Sequence, residues 1–301
     1  MPARPEAGVF GPASAMWRVS RESALPIFGM RAVLLQIAHP VICHAGVANS
    51  EFQEDFLART IRTFTSVYAM MYGDRATALR YAKVVHRVHT KVSGTVSAET
   101  SPKHAGRAYR ANQPELLFWV LATMIESAFG AHATLLRPLP LWERRMFYED
   151  MKTLGLMLGI PEETMPPDLD DFKAYFDRML AEELHVGQVA RSLVDWLFDE
   201  GWQMRNLDRA WAAGIMEPKF ADAFGLPSGK RWTLLHHTMT KQLRLMLRRS
   251  PRAVRWVPPY HAAMHRIARA EGRLSGATPA VFHGLNERGW VPSVFQLPKA
   301  A

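Results

Sequence analysis

Apolar residues recur every three or four positions along almost the whole chain, which is the spacing that places side chains on one face of an α-helix. The alternation of apolar and polar residues that is typical of a half-buried strand does not occur over a convincing length. The pattern therefore predicts an all-α fold. The predicted helices are residues 15–25, 29–39, 51–72, 74–93, 114–136, 140–158, 168–184, 187–199, 203–214, 229–249 and 253–273.

Proline and glycine indicate where these helices end. Pro40 disfavours helical geometry at the preceding residue, so the helix that contains MRAVLLQIAH should stop or kink at His39. The stretches 101–114 and 159–168 are rich in Pro, Gly and polar residues, and they are predicted to be loops. The second loop is a candidate seam between an N-terminal and a C-terminal helical half.

One predicted helix contains an apolar segment, residues 116–136, that is long enough to cross a bilayer. Glu126 and His132 lie in its second half, where a charge in lipid is costly unless it has a function. We therefore favour a buried helix in a soluble core. Burial should raise the pKa of Glu126, which suits this carboxyl either to proton delivery or to pairing with a buried arginine.

The composition is that of a soluble globular protein of one large domain or two small ones, because 48% of the 301 residues are hydrophobic and 22% are charged. Cys43 is the only cysteine, which excludes a disulfide within the chain and a thiolate zinc site. The N-terminus has no apolar run of signal-peptide length. These features together predict a cytoplasmic protein.

The formal net charge is +9, and much of the excess lies in the last third of the chain. A basic face attracts phosphate backbones or an anionic membrane, but excess arginine also serves solubility alone. The chain has no known nucleic-acid motif, so we expect no nucleic-acid partner. We expect the basic C-terminal third to be a solvated face with at most a weak, salt-sensitive attraction to membranes.

Two histidines lie three residues apart in the predicted helix VVHRVHTKVSG, residues 84–94. Side chains at this spacing diverge by about 60° around the axis, so the rings of His86 and His89 need not converge. A zinc protease would need a third ligand and a Glu within H-E-x-x-H, and neither is present. A b-type haem needs only one histidine presented from a helix, and the residues alone leave that role and an ordinary core or surface histidine open.

Four sequence elements add context, because they occur in one order along the chain. They are R-A-x-L-L-Q-x-A-H-P (31–40), R-x-x-R-T (59–63), G-D-R-A-x-A (73–78) and V-x-R-V-H-x-x-V-x-G (85–94). Over roughly residues 14–200 the chain resembles the MpaB-type oxygenase family, which is remotely related to the latex-clearing rubber oxygenases. We therefore expect an MpaB-type haem-binding core at 14–200 and a C-terminal helical extension at 201–301 packed on it.

The resemblance implies a globin-like helical core around haem b, with the histidine of V-x-R-V-H, here His89, as the iron ligand. His86 falls where relatives usually carry another residue, so a surface or supporting role is expected for it. The R-x-x-R-T element matches Arg59 and Thr63, which in the remoter rubber oxygenases lie near the haem. Arg59 would pair with a haem propionate or polarise oxygen; the alternative for it is a surface salt bridge.

A family member would place Gln36 and His39 near the cofactor pocket. For His39 the open roles are distal acid–base group, sixth iron ligand, or a histidine that hydrogen-bonds a helix terminus. Many relatives read W-V-H-A-T where this chain has WVLAT, so Leu121 replaces a frequent histidine. Residues 95–106 form an insertion that could border substrate entry.

The resulting functional hypothesis is a haem b-dependent oxygenase or related oxidoreductase that acts on a hydrophobic organic small molecule. Dioxygen would bind at the haem iron opposite His89, with Arg59, Thr63 and His39 steering oxygen and protons. One alternative is a haem or lipid carrier that docks on an anionic membrane and consumes no oxygen. Another is a helical interaction protein without a cofactor, which would purify colourless.

Overall fold

The computed structural model describes residues 5–48, 56–201 and 205–273, with side chains described throughout except at 56–59, 200–201 and 205. Within these ranges the chain forms fourteen α-helices, which confirms the predicted all-α class. The helices are α1 (Ala15–Ser20), α2 (Ala24–Ile37), α3 (Pro40–Ala48), α4 (Phe56–Tyr72), α5 (Arg75–His89), α6 (Pro114–Leu135), α7 (Leu141–Met157), α8 (Leu169–Arg178), α9 (Gln188–Trp196), α10 (Arg205–Ile215), α11 (Pro218–Ala223), α12 (Lys230–Arg249), α13 (Arg252–Arg255) and α14 (Pro258–Ala270).

A two-stranded antiparallel hairpin interrupts the helical pattern between α5 and α6. Its strands are β1 (Ser93–Thr95) and β2 (Ala108–Arg110), with Gly94 opposite Tyr109. The sequence did not predict this hairpin, because strands of three residues are too short to show an alternating pattern. Residues 96–107 connect the two strands of this hairpin.

The most extensive helix pair is α2 with α6, which run in opposite directions. Near the start of α2, Phe28 lies against Gly130, where an added Cβ would be only 2.6 Å from the Phe28 ring. Near the end of α2, Gln36 Nε2 donates a hydrogen bond of 2.8 Å to Thr123 Oγ1. A glycine at one end and a polar pair at the other therefore fix the distance and register of this pair.

The break that Pro40 predicted is confirmed. Helix α2 ends at Ile37, α3 begins at Pro40, and the two helix axes differ by 97°. Proline suits the first helical position because its missing N–H would have no partner there. Helix α3 itself was not predicted, since its nine residues give too short a stretch for helical periodicity to be recognised.

Helix α6 is apolar and long enough to cross a bilayer, and α2 with α3 would pass the same test if the bent pair were counted as one span. In the structure, 72% of the tested α6 window is buried inside the protein. Its burial in the core is therefore as predicted. Cytoplasmic localisation stays a prediction.

The hydrophobic core continues across the loop that was a candidate seam. Tyr148 on α7 and Phe172 on α8 lie on either side of residues 159–168, and their ring centroids are 5.0 Å apart. A neighbouring cluster joins Phe28 of α2 to Trp211 of α10 and Leu247 of α12. The later helices thus pack directly on the earlier ones, while the division at residue 200 stays a prediction.

A buried ion pair ties the start of the chain to its C-terminal part. The Glu22 carboxylate is 4% exposed and accepts hydrogen bonds of 2.6 and 3.1 Å from Arg255. The indole N–H of Trp256 donates to the same carboxylate at 3.3 Å. The Ser23 N–H donates to the Arg255 carbonyl at 2.9 Å, so side chains and backbone hold the same junction.

We predict that Glu22→Gln lowers the free energy of unfolding by about 2 kcal/mol. Breaking a buried pair usually costs about 3–5 kcal/mol, and the partial exposure of Arg255 reduces this cost. Urea unfolding provides the measurement. The matched control is Lys173→Gln, which breaks the exposed Lys173–Asp177 pair and should change stability by less than about 0.5 kcal/mol. Similar losses in both variants would contradict the importance of the Glu22 junction.

Candidate active site

His39 occupies the corner between α2 and α3 and is only 5% exposed. Its N–H donates to the Gln36 carbonyl at 3.1 Å, and its carbonyl accepts from the Cys43 N–H at 2.9 Å. These bonds satisfy the backbone N–H and carbonyl of His39 at the break between α2 and α3. The imidazole ring points into the protein. The bend that Pro40 imposes therefore delivers an imidazole to the interior.

The electrostatics of this corner keep the His39 imidazole neutral. The pKa of His39 is lowered to about 4, mainly by burial, with smaller contributions from the nearby Arg107 and His104. A neutral imidazole has one nitrogen that accepts and one that donates a hydrogen bond. At neutral pH the ring can therefore accept a proton, donate one, or bind a metal ion.

Two polar atoms at this corner are buried without a hydrogen-bond partner among the described residues. One is Nδ1 of His39 and the other is the indole nitrogen of Trp119 on α6. The centroids of the two rings are 6.5 Å apart. Buried polar atoms are nearly always paired in native proteins, so these two are candidates to bind a ligand, as are other unpaired buried atoms of the described residues such as the hydroxyls of Tyr72 and Ser127. Sequence reasoning missed Trp119, although it begins the WVLAT segment.

Gln36 lies between α2 and α6, and its side chain links the two helices by a hydrogen bond. Its amide donates to Thr123, and the Thr123 hydroxyl in turn donates to the Val120 carbonyl at 2.7 Å. The predicted role of Gln36 in cofactor binding stays a prediction. The Gln36 amide nitrogen is already used in the bond to Thr123, so the amide oxygen is the atom that would contact a cofactor.

The insertion 95–106 packs toward α3 through a few buried residues, whereas most of its other side chains are exposed. Thr100 is 6% exposed, and its hydroxyl lies 3.0 Å from Nδ1 of His44 on α3. Ser101 is fully buried, and its hydroxyl lies 2.9 Å from Nδ1 of His104. The insertion therefore forms a polar cover over the corner that contains His39.

Helices α4 and α5 form a helical hairpin that aligns the two sequence elements R-x-x-R-T and V-x-R-V-H. A two-residue turn joins them, and the helices pack along their lengths. Arg59 lies 13 residues before the end of α4 and His89 lies 14 after the start of α5. At about 1.5 Å per residue both are roughly 20 Å from the turn, hence at the same end of the hairpin. Thr63 lies one turn of α4 closer to the connection.

The three predicted residues of this hairpin differ in how the structure presents them. Arg59 lies in α4, but its side chain falls outside the described part of the structure. Thr63 is exposed on α4. His89, the last residue of α5, is half-buried. This end of the hairpin is therefore partly open, and the roles of the three residues stay predictions.

His86 and His89 point in different directions, as their spacing predicts. Ala78, Ala82, Val85 and His89 follow one another at intervals of four, three and four residues, and this stripe faces the core. His86 is exposed. Of the two imidazoles, His89 is the one that continues the inward face of α5.

His86 instead lines an open surface pocket of about 450 Å³ between α5 and the end of α7. Its Nδ1 lies 3.5 Å from the position that a Cβ would take at Gly159. Lys83 and Arg87 border the same pocket, together with Leu156. The side chain belongs to the surface, which agrees with the surface role expected for it.

Glu126 lies near Arg31 and Arg144, but it forms no ion pair with either of them among the described residues. Burial raises the pKa of Glu126, and the charges of Arg31 and Arg144 oppose that increase. Arg31 forms its ion pair with Glu217 instead, at the start of α11. Within the described residues, the expected direct pair of Glu126 with a buried arginine is absent, so the proton-delivery alternative for this carboxyl remains.

Leu121 is a packing residue on the far side of α6 from His39. A Cβ added at Gly155 of α7 would lie 3.2 Å from a Leu121 methyl carbon, so this side chain fills the space between α6 and α7. Trp119 and Thr123 are about 40° apart around α6, whereas Leu121 is about 160° from either. The departure from the family pattern therefore does not alter the corner that contains His39.

Comparison with known proteins assigns this helical fold to a class of oxygenase domains. Residues 17–256 match the family described as "ER-bound oxygenase mpaB/B'/Rubber oxygenase, catalytic domain". The chain belongs to this family, as its four sequence elements indicated. The match extends past residue 200, so it includes α10, α11 and α12.

Two curated relatives are uncharacterized mycobacterial proteins, Mb2261 of Mycobacterium bovis and Rv2237 of Mycobacterium tuberculosis. Each is 33% identical over 124 residues, which are 41% of this chain and 45% of the relative. The match thus spans less than half the length of these relatives. No solved structure is significantly similar to the chain, so the globin-like arrangement stays a prediction.

We predict that acid destabilises the wild-type protein more than His39→Gln. The pKa of His39 is about 4 in the folded protein and 6.5 in the reference state, so the unfolded chain takes up the proton first as the pH falls. The stability that a neutral His39 contributes is therefore present above pH 6.5 and is lost as the pH falls toward 4. Between pH 7 and pH 5 this loss is about 2 kcal/mol.

The measurement is urea unfolding of both proteins at the two pH values. The other histidines are common to both proteins, so the difference between the two pH dependences isolates His39. Identical pH dependences would show that His39 is not held neutral by burial.

Proposed function

We propose that this protein is a haem b-dependent oxygenase that acts on an apolar organic small molecule in the cytoplasm. Membership of an oxygenase catalytic-domain family supports the reaction class. The observation that carries the haem assignment is the register of α4 and α5, because it brings Arg59 level with His89 at one end of this helix pair, with Thr63 one helical turn away.

The residues at this end fit a b-type haem. A non-covalent haem needs one imidazole from a helix, and His89 continues the inward stripe of α5. The family match covers no C-x-x-C-H segment, and Cys43 is buried with its pKa raised to about 12, so a thiolate ligand is disfavoured. Arg59 is the cation proposed to pair with a propionate.

The bound haem would supply the redox chemistry with dioxygen, while the protein positions groups and excludes competing reactions. His39 is the proposed proton-handling group, because its neutral ring accepts or releases a proton at the orphan Nδ1. The adjacent orphan N–H of Trp119 is a fixed donor to an oxygen atom. The cover formed by Thr100 and Ser101 would keep bulk water from this corner.

The proposed preference for an apolar substrate rests on the apolar side chains that lie between α3, the β1–β2 hairpin and α6. Val41, Val96 and Leu116 form a buried apolar cluster there, and Val92 packs against it just after His89. Such side chains bind apolar groups by removing them from water.

We predict that the purified protein has a Soret absorption band and releases intact haem b on acid extraction. Covalent attachment would require a C-x-x-C-H segment, which one cysteine cannot form. The protein should also consume oxygen above background with a panel of apolar substrates. Trace haem after expression with ample haem, together with failed reconstitution, would refute the cofactor; haem without oxygen consumption would indicate a carrier.

We further predict that His89→Gly loses most of its haem and that added imidazole restores the Soret band. A glycine at this position leaves room for free imidazole, so rescue would identify a missing ligand and not general damage. The matched control is His86→Gly, three residues away on the same helix, which should keep the haem content and spectrum of the wild type.

Far-ultraviolet circular dichroism must show that both variants are folded, since each places glycine near the end of α5. A folded His89→Gly with an unchanged spectrum would contradict the ligand assignment. Loss of haem from His86→Gly alone, or from His39→Gln alone, would transfer the ligand role to that residue.

A further inference from the structure

The chain has a long segment without a single acidic residue. Between Lys230 and Ala270 there is no Asp or Glu, while ten residues are Lys or Arg. This segment comprises α12, α13 and α14. The net charge of +9 is therefore distributed unevenly, and one part of the surface has no carboxylate of its own to neutralise it.

One face of α12 is fixed to the rest of the protein. His236 stacks on Trp211 of α10 with centroids 5.2 Å apart, and it lies so close to Gly214 that any Cβ there would overlap its ring. Farther along, Leu247 is 2% exposed and packs in the cluster that includes Phe28. These contacts determine which face of α12 points outward.

The outward face of α12 combines cations with large apolar side chains. Leu234, Lys241, Leu245 and Arg248 follow at intervals of seven, four and three residues, which places them in one stripe. Leu234 is 69% exposed and Leu245 is 49% exposed. Lys230, Arg231 and Arg249 flank this stripe. Among the described residues, none of these five cations forms an ion pair.

We infer that this outward face of α12 is a docking surface for an anionic lipid bilayer. On a surface that docks on an anionic bilayer, exposed apolar side chains enter the acyl boundary, while long cationic side chains beside them extend to the lipid phosphates. The stripe provides both: Lys241 and Arg248 would contact phosphates, and Leu234 and Leu245 would be inserted. This inference does not depend on the proposed haem chemistry.

The exposed leucines favour lipid over nucleic acid as the occupant. Binding of a nucleic-acid backbone is mainly electrostatic, and single-strand binding adds exposed aromatic rings on which bases stack. The aromatic residue of α12, Trp232, lies on the inner side and is only partly exposed. Leu234, which is 69% exposed, cannot bind a phosphate, but its transfer from water into the acyl boundary of a bilayer is favourable.

The test compares vesicles of neutral phosphatidylcholine with vesicles that contain about 30% phosphatidylglycerol, by co-sedimentation of the full chain. The wild type should bind only the anionic vesicles at about 0.1 M salt, and about 1 M salt should weaken this binding strongly. The triple variant Lys241→Gln, Arg248→Gln, Arg249→Gln should reduce the partition coefficient roughly a hundredfold, since each cation near the bilayer contributes about fivefold.

A control variant removes the same charge elsewhere. Arg145→Gln, Lys173→Gln and Arg178→Gln lie on α7 and α8, and together they should lower binding by less than about threefold. A third variant, Leu234→Ser with Leu245→Ser, should abolish whatever binding persists at high salt. All variants should keep the unfolding transition of the wild type.

Three results would overturn the inference. Equal binding to neutral and anionic vesicles would remove the role of charge. Equal losses in the α12 variant and the control variant would show that net charge acts without a docking face. Absence of vesicle binding together with tight binding of a random-sequence DNA duplex would assign the surface to nucleic acid.

Discussion

The antiparallel pairing of α2 with α6 determines where the candidate chemistry lies. Phe28 against Gly130 allows the two helices to approach, and the Gln36–Thr123 hydrogen bond sets their register at the other end. Once that register is set, the residues that follow Gln36 must continue toward the start of α6. His39 therefore meets Trp119, and the turn at Pro40 directs its ring inward instead of along the helix.

The corner formed in this way is costly to the fold, which is a reason to connect it with function. An unpaired buried polar group typically costs about 1–3 kcal/mol, and the indole N–H of Trp119 is such a group beside the neutral ring of His39. Keeping His39 neutral adds a further sensitivity to acid. A protein of ordinary stability has about 5–15 kcal/mol in total, so such a cost is sustained where the groups acquire partners during activity.

Periodicity and proline predicted the helical class and the corner at His39, because both depend on residues that are close in sequence. The contact between His39 and Trp119 joins positions 80 residues apart, and no local pattern encodes it. The same holds for the ion pair of Glu22 with Arg255, because only the folded structure shows that these two residues are partners. The sequence did not predict the hairpin β1–β2 for a different reason. Val96 and Tyr109 stabilise this hairpin by packing on α3, and strand propensity contributes little.

The cover over the corner influences His39 more directly than Leu121 of α6 does. At Leu121 the family resemblance leads us to expect a histidine, yet Leu121 packs toward Gly155 on the face of α6 opposite Trp119. The insertion 95–106, in contrast, contributes His104, which with the neighbouring Arg107 lowers the pKa of His39. A change in the cover would therefore alter both access to His39 and its proton affinity, whereas a change at Leu121 would alter packing first.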